Sequence, residues 1–186
     1  MKGKTLFIHQ KLELRLPEVG FAESIFDTLQ HQRKYLENWL PWAQQTKSIE
    51  DCQRQIKNYK LFNKGGQKLM TFIFYNQNLV GSVGLVKIFK ENHSAEIGYW
   101  LNSNFQGRGI ITQSCQRLTQ YAFEKMKINR LEINTASTNL KSINIPKKLN
   151  FSFEGTIRDG LFINDKFHNL EKYSLLRRDW KKKIIS

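Results

Sequence analysis

The stretch that most constrains this chain is residues 94–126: Ser-Ala-Glu-Ile-Gly-Tyr-Trp-Leu, a short polar joint, Asn-Phe-Gln-Gly-Arg-Gly-Ile-Ile-Thr, then a helical pattern. Ala95, Ile97, Tyr99 and Leu101 fall on one face of a period-two pattern and Trp100 on the other, which reads as a buried strand. After the glycines, Ile111, Cys115, Leu118 and Ala122 recur at steps of four, three and four, the apolar stripe of a helix packed on a sheet. Between them, Gly107 and Gly109 carry no Cβ. The backbone can therefore turn tightly and let an anion approach the first unpaired N–H groups of the helix. A pyrophosphate suits such a turn. Neither commoner glycine loop is present: no Gly-Lys-Ser/Thr follows, and Gly-Arg-Gly-Ile lacks the third glycine of the dinucleotide fingerprint. On the glycines alone, a plain structural turn stands level with a phosphate site.

Gln106-Gly107-Arg108-Gly109-Ile110-Ile111 resembles the Gln/Arg-x-x-Gly-x-Gly/Ala signature of the Gcn5-related N-acetyltransferases, whose turn amides hold the pyrophosphate of acetyl-coenzyme A. Ile111 stands where that signature usually has a small residue. Ala-Glu-Ile-Gly-Tyr-Trp-Leu (95–101), Asn139-Leu-Lys-Ser142, Phe151-x-x-Glu154-Gly155, Arg158-Asp159-Gly160, Tyr173-Ser-Leu-Leu176 and Asp179-Trp180 are similar, in that order, to the ribosomal-protein serine/alanine N-acetyltransferase branch (RimJ/RimL type). Leu36-x-x-Trp39-Leu40-Pro41-Trp42 matches that branch too, so the likeness covers nearly the whole chain. It implies an α+β fold, a mixed, mostly antiparallel, splayed sheet flanked by helices. It also implies acetyl-coenzyme A as cosubstrate, no metal, and coenzyme contacts from Trp100, Leu101, Gln106, Gly107, Arg108, Gly109, Ile110, Ile111, Thr112 and Asn139. In the family the pantetheine arm enters the splay between the 95–101 and 130–136 strands, borrowing backbone hydrogen bonds as an added strand would.

Length and composition fit that picture. The 186 residues suffice for one domain with a substantial core, so residues 1–186 are expected to form a single N-acetyltransferase domain. Forty per cent hydrophobic residues, with four Trp, six Tyr and thirteen Phe, argue for a packed globule rather than a disordered basic tail. Cys52 and Cys115 have no neighbouring Cys, which supports neither zinc ligation nor a disulfide framework; two buried thiols in a reducing cytosol is the plainer reading. No apolar run approaches eighteen residues and no signal-peptide core follows Met1, so a cytoplasmic protein without a membrane partner, monomer or homodimer, is expected. Lys and Arg outnumber Asp and Glu thirty to sixteen, a formal charge of +14. Such a field attracts polyanions; coenzyme A and ribosomal RNA both qualify, and a merely solvated basic surface is the bland alternative.

In chain order, residues 6–16 alternate enough for a first strand that Pro17 ends. Phe21, Ile25 and Leu29 mark one helix before His31; Tyr35, Leu36, Trp39 and Leu40 mark a second that Pro41 stops. Trp39 and Trp42 either line a substrate groove or anchor this helical lid, with spacing favouring the core role. Ser48 with Asp51 three residues on is an acidic capping box opening a third helix to Gly65-Gly66. Residues 69–75 read as a central strand turned by Asn76-Gln77-Asn78 into 79–88, and 130–136 as a later strand. A short helix disturbed by Pro146 and two closing strands, 151–157 and 167–176 with a turn at Asn164-Asp165, complete the chain. The Lys181-Lys182-Lys183 end reads as an exposed tail.

Acetyl transfer from a thioester to an amine needs an uncharged nucleophile, a polarised carbonyl and a proton for the departing sulfur. By resemblance, Asn139 contacts pantetheine and Ser142 supplies that proton; the mechanical alternative is that Asn139 simply caps the helix beginning at Leu140. Glu96, on the central strand, is either a base or water-positioning carboxylate or one half of an edge ion pair. Some relatives place a carboxylate where this chain has Leu161. With reference pKa values of about 7.8 and 10.4, roughly one α-amine in seven is neutral at pH 7 against roughly one lysine in 2,500. A chain with a weak base therefore suits the N-terminal amine of a ribosomal or other protein, with possible ribosome association. A small amine acceptor (polyamine, amino sugar or aminoglycoside) and a non-catalytic ribosome- or RNA-binding module are the alternatives.

Overall fold

The computed structural model describes residues 5–180, so the tail expected at Lys181-Lys182-Lys183 lies outside the described residues. The alternating run at 6–16 is not one strand but a hairpin, β1 (Thr5–His9) and β2 (Leu12–Arg15). His9 Nδ1 accepts the Lys11 N–H at 3.2 Å within the tight turn, and the alternation continues through that reversal, which hides it from periodicity.

A single 3-10 turn (Val19–Phe21) leads into α1 (Ala22–Glu37), α2 (Pro41–Gln45) and α3 (Ile49–Gly65). The two helices expected on either side of His31 are one helix with a kink, where Gln32 leaves helical geometry (φ −130°, ψ 19°). Gln32 also reaches out of the helix: its Oε1 accepts the Ser103 N–H at 2.7 Å and its Nε2 donates to Asn102 Oδ1. Pro41 opens α2 at a position where a missing N–H costs nothing. The capping box of α3 forms as expected: Ser48 Oγ accepts the Asp51 N–H at 3.2 Å and Asp51 Oδ2 accepts the Ser48 N–H at 3.1 Å. Ser48→Ala should therefore cost about 1 kcal/mol, read as a lower midpoint in denaturant titration with an unchanged slope.

The remaining elements are β3 (Leu69–Tyr75), β4 (Asn78–Phe89), β5 (Ser94–Leu101), a second 3-10 turn (Ser103–Phe105), α4 (Ile110–Glu124), β6 (Arg130–Ala136), α5 (Leu140–Lys148), β7 (Ser152–Ile163) and β8 (Lys166–Leu176). The strands form one sheet in the order β1-β2-β3-β4-β5-β6-β8-β7, antiparallel except for the β5–β6 pair. This is the mixed α+β architecture expected. One face carries Ile97, Leu131 and Ile133 against Ile110, Cys115 and Leu118 of α4 and Ile143 of α5. The other packs Phe72, Phe74 and Trp100 against Ile25 and Leu29 of α1 and Cys52 and Ile56 of α3. Both cysteines are free and buried.

The consequence for function lies between β5 and β6. They pair only at Ser94–Arg130, Ala95–Leu131 and Glu96–Glu132, although β5 continues to Leu101 and β6 to Ala136. Beyond Glu96 the strands diverge, and among the described residues no strand covers the exposed edge of 97–101. The sheet is splayed at its centre.

β7 runs six residues past the expected end at Ile157, with a register shift before Leu161 and Asp159 at φ 50°. Asp159 makes no ion pair with Arg158; its N–H donates to Asn169 Oδ1 at 3.1 Å. At the base of the β6–β8–β7 ladder, Arg130 donates to Glu132 and Glu154, and Ser174 Oγ donates to Glu154 at 2.7 Å. The Arg130 hydrogen bond, aided by Ser174, holds the Glu154 carboxyl down to about 2. Because the folded value lies below the ordinary one near 4.5, this contribution is present above about pH 4.5 and is lost as pH falls through about 2. The stability gap between wild type and Glu154→Gln should thus narrow between pH 6 and pH 2.5 in pH-resolved melting. It should be small throughout, since the Glu154 side chain is 35% exposed and solvent screens the pair.

Candidate active site

A cleft of about 590 Å³ opens where β5 and β6 part. Its floor is Tyr99, Trp100 and Leu101 of β5; one wall is the glycine turn and the start of α4; the other is α5; and Tyr35, Leu36, Trp39 and Leu40 cover it from the α1–α2 side.

The glycine wall is built for a close approach. Gly107 and Gly109 both have positive φ, 77° and 72°, a conformation that L side chains rarely adopt. A Cβ at Gly107 would meet no atom within 4 Å, so the space before it is open. Gly109 itself is the N-cap of α4 and, as in α1 and α2, no side chain caps the helix, whereas α3 and α5 are capped by Ser48 and Asn139. The first N–H groups of α4, at Ile110, Ile111 and Thr112, are therefore left for another acceptor, and these residues line the cleft. Gln106 spans the opening: its Nε2 donates to Tyr35 Oη of α1 and its Oε1 accepts from Lys141 Nζ of α5 at 2.8 Å.

On the facing wall, Asn139 Oδ1 accepts the Ser142 N–H at 3.1 Å, so the capping role of Asn139 is formed while its side chain also borders the cleft. Ser142 Oγ lies 3.0 Å from the Tyr99 hydroxyl, which is also 3.1 Å from the Ser142 carbonyl oxygen. Burial pushes the Tyr99 hydroxyl well above the ordinary tyrosine range, with the Ser142 hydrogen bond opposing. It is a neutral O–H at any physiological pH.

The structure thus gathers Trp100, Leu101, Gln106, Gly107, Gly109, Ile110, Ile111, Thr112, Asn139 and Ser142 around one cleft. Two sequence candidates lie apart. Arg108 points out of the turn, its guanidinium over the Phe105 ring at 5.3 Å and donating to the Asn104 carbonyl at 3.4 Å. Glu96 shares the Trp100 face of β5 but does not line the cleft; its carboxylate is paired with Lys87 Nζ at 2.9 Å across the β4–β5 ladder. The edge ion pair, not a carboxylate in the cleft, is what forms. The tryptophans divide: Trp39 lines the cleft, and Trp42 packs on Trp100 with ring centroids 5.9 Å apart. Tyr99, Lys141 and Lys148 border the cleft and were not singled out for it from sequence. Tyr99 reads there as one more apolar-face residue, and lysines in so basic a chain carry no individual signal.

Comparison with known proteins agrees with this geometry. The family model described as "Acetyltransferase (GNAT) domain" matches residues 11–152. The chain is 34% identical over 184 residues to the Bacillus subtilis (strain 168) protein named "Putative ribosomal N-acetyltransferase YdaF", covering 95% of this chain and 97% of that one. It is 26% identical over 171 residues to the ribosomal-protein-serine acetyltransferase of Escherichia coli (strain K12), covering 92% and 96%. Among solved structures, RimL, a ribosomal L7/L12 alpha-N-protein acetyltransferase in complex with coenzyme A, superposes with a TM-score of 0.89 at 26% identity, covering 92% of this chain and 97% of that one. A splayed sheet, an uncapped helix behind a glycine turn and these full-length likenesses lead to one conclusion: the chain belongs to the GNAT acetyltransferase family.

Proposed function

We propose that this protein transfers the acetyl group of acetyl-coenzyme A to the N-terminal α-amine of a ribosomal or other protein in the cytoplasm, with residues 1–186 as one acetyltransferase domain. The observation that carries this reading is a single cleft with an open, uncapped helix N-terminus at one end and a hydrogen-bonded Ser142 at the other. The residues fit the coenzyme: the space before Gly107 and the free α4 amides suit a diphosphate, and Lys141 and Lys148 add positive charge beside it. Bound there, acetyl-coenzyme A supplies the activated acyl group.

The chain's own residues do the rest. The unpaired edge of β5 beyond Glu96 is available to hydrogen-bond an extended arm, as a strand would. Ser142 holds a proton at Oγ for the departing sulfur. Glu96 is tied to Lys87 and does not line the cleft, so this reading assigns it no step. A strong base is dispensable if the nucleophile is an α-amine, because roughly one such amine in seven is already neutral at pH 7. The names of the relatives support the same acceptor class: a ribosomal-protein serine and the α-amine of L7/L12.

The test is a competition followed by mass spectrometry, offering a peptide with a free seryl or alanyl N-terminus, the same peptide N-blocked with a free lysine, and a polyamine. Acetylation should fall on the α-amine by at least tenfold over the others. Equal or faster modification of the polyamine or lysine would overturn the reading.

A further inference from the structure

Tyr99 lies three residues past the last β5–β6 pair, and its ring crosses the gap to the first turn of α5. There its hydroxyl meets both polar oxygens of one residue: Ser142 Oγ at 3.0 Å and the Ser142 carbonyl oxygen at 3.1 Å. Asn139 holds the third polar group, the Ser142 N–H. A serine hydroxyl on a helix surface ordinarily rotates among staggered wells. Here the Tyr99 hydroxyl contacts Oγ while Asn139 holds the backbone N–H of the same residue, in a short helix that contains Pro146. The phenol has one proton and two nearly equidistant acceptors. The phenol donates to the carbonyl, and in its contact with Oγ either oxygen can be the donor; when Tyr99 donates to both, the proton of Ser142 is free to point into the cleft.

We propose that Tyr99 is a positioning residue for the acetyl transfer: its hydroxyl fixes the rotamer of Ser142 and donates to Oγ as that atom releases its proton. The proposal rests on the reading of Ser142 as proton donor given above. In the step itself, the amine nitrogen forms the amide bond to the acyl carbon as the carbon–sulfur pair moves onto sulfur. Ser142 gives its proton to the sulfur, and the proton lost by the nitrogen restores the serine through solvent. Tyr99 keeps its own proton throughout, consistent with a buried hydroxyl that resists ionisation.

Tyr99→Phe keeps the ring and deletes only the hydroxyl, so it separates positioning from packing. It would be compared with Ser142→Ala and with the double variant by steady-state kinetics on a seryl peptide, calorimetry with coenzyme A, and crystallography of the free protein. We expect Tyr99→Phe to lower kcat about ten- to a hundredfold, the scale of one hydrogen bond to developing charge. Coenzyme affinity should stay within about twofold. In the Ser142→Ala background the same change should have no further effect, because the group it positions is gone. In the free Tyr99→Phe protein the Ser142 hydroxyl should occupy more than one rotamer where wild type has one. Equal losses of kcat in both backgrounds would mark Tyr99 as packing only and overturn the proposal, as would a single, unchanged Ser142 rotamer. A wild-type kcat in Tyr99→Phe beside a crippled Ser142→Ala would remove this inference alone. A wild-type kcat in Ser142→Ala would remove the proton-donor reading and this inference with it.

Discussion

Ser142→Ala is expected to lower kcat on a seryl or alanyl peptide about a hundredfold or more, the usual worth of a positioned general acid, while leaving coenzyme affinity nearly unchanged. The serine faces the cleft from the first turn of α5, where its backbone N–H is satisfied by Asn139, so losing Oγ leaves the helix cap intact. Among the described residues, the one polar partner that Oγ gives up is the Tyr99 hydroxyl, which keeps the Ser142 carbonyl as an acceptor. The defect therefore belongs to the departing sulfur rather than to folding or binding. It should persist from pH 6 to 10, because it does not depend on how much of the acceptor amine is neutral. Full turnover in Ser142→Ala, measured where chemistry is rate-limiting, would refute this role.

Gly109→Val should weaken acetyl-coenzyme A binding at least about tenfold, or 1.4 kcal/mol, by calorimetry. Gly109 sits at φ 72°, where a β-branched residue is strained, and it is the N-cap that aims the free amides of α4. A Cβ there would lie 3.3 Å from Gln113 Nε2, a flexible side-chain end, so local crowding is mild and the damage falls on the turn itself. Gly20→Val provides the contrast: that glycine lies far away in sequence, in the 3-10 turn before α1, with nothing within 4 Å of an added Cβ. It should leave affinity unchanged. A folded Gly109→Val protein that binds the coenzyme like wild type would exclude the glycine turn as its seat.

What could be read from sequence was what local pattern determines. The 95–101 alternation, the 111–122 stripe and the glycines between them specify strand, turn and helix within a few dozen residues, and they appear as β5, Gly107–Gly109 and α4. The Ser48–Asp51 box and the hairpin at residues 76–78 were legible for the same reason. Contacts made across the sheet were not. Tyr99 and Ser142 are 43 residues apart and meet where β5 faces the first turn of α5, a placement set by tertiary packing and not by either segment's own pattern. Glu96 finds Lys87 through a ladder whose register shifts between Leu85 and Lys87, and no spacing rule anticipates such a bulge. The hairpin inside 5–15 and the length of β7 were missed in opposite ways. In the first, alternation ran on through a reversal; in the second, it broke at the bulge around Asp159 while the strand continued. The +14 charge gave a sign but no address; the structure puts Lys141 and Lys148 at the cleft.

The most direct test of the account is a crystal structure of this protein with acetyl-coenzyme A. The diphosphate should rest on the backbone amides of residues 107–112. The pantetheine arm should run between β5 and β6 beyond the Glu96–Glu132 pair, and the sulfur should lie within hydrogen-bond reach of Ser142 Oγ. A coenzyme seated elsewhere, or one in the cleft whose sulfur lies out of reach of Ser142, would contradict it.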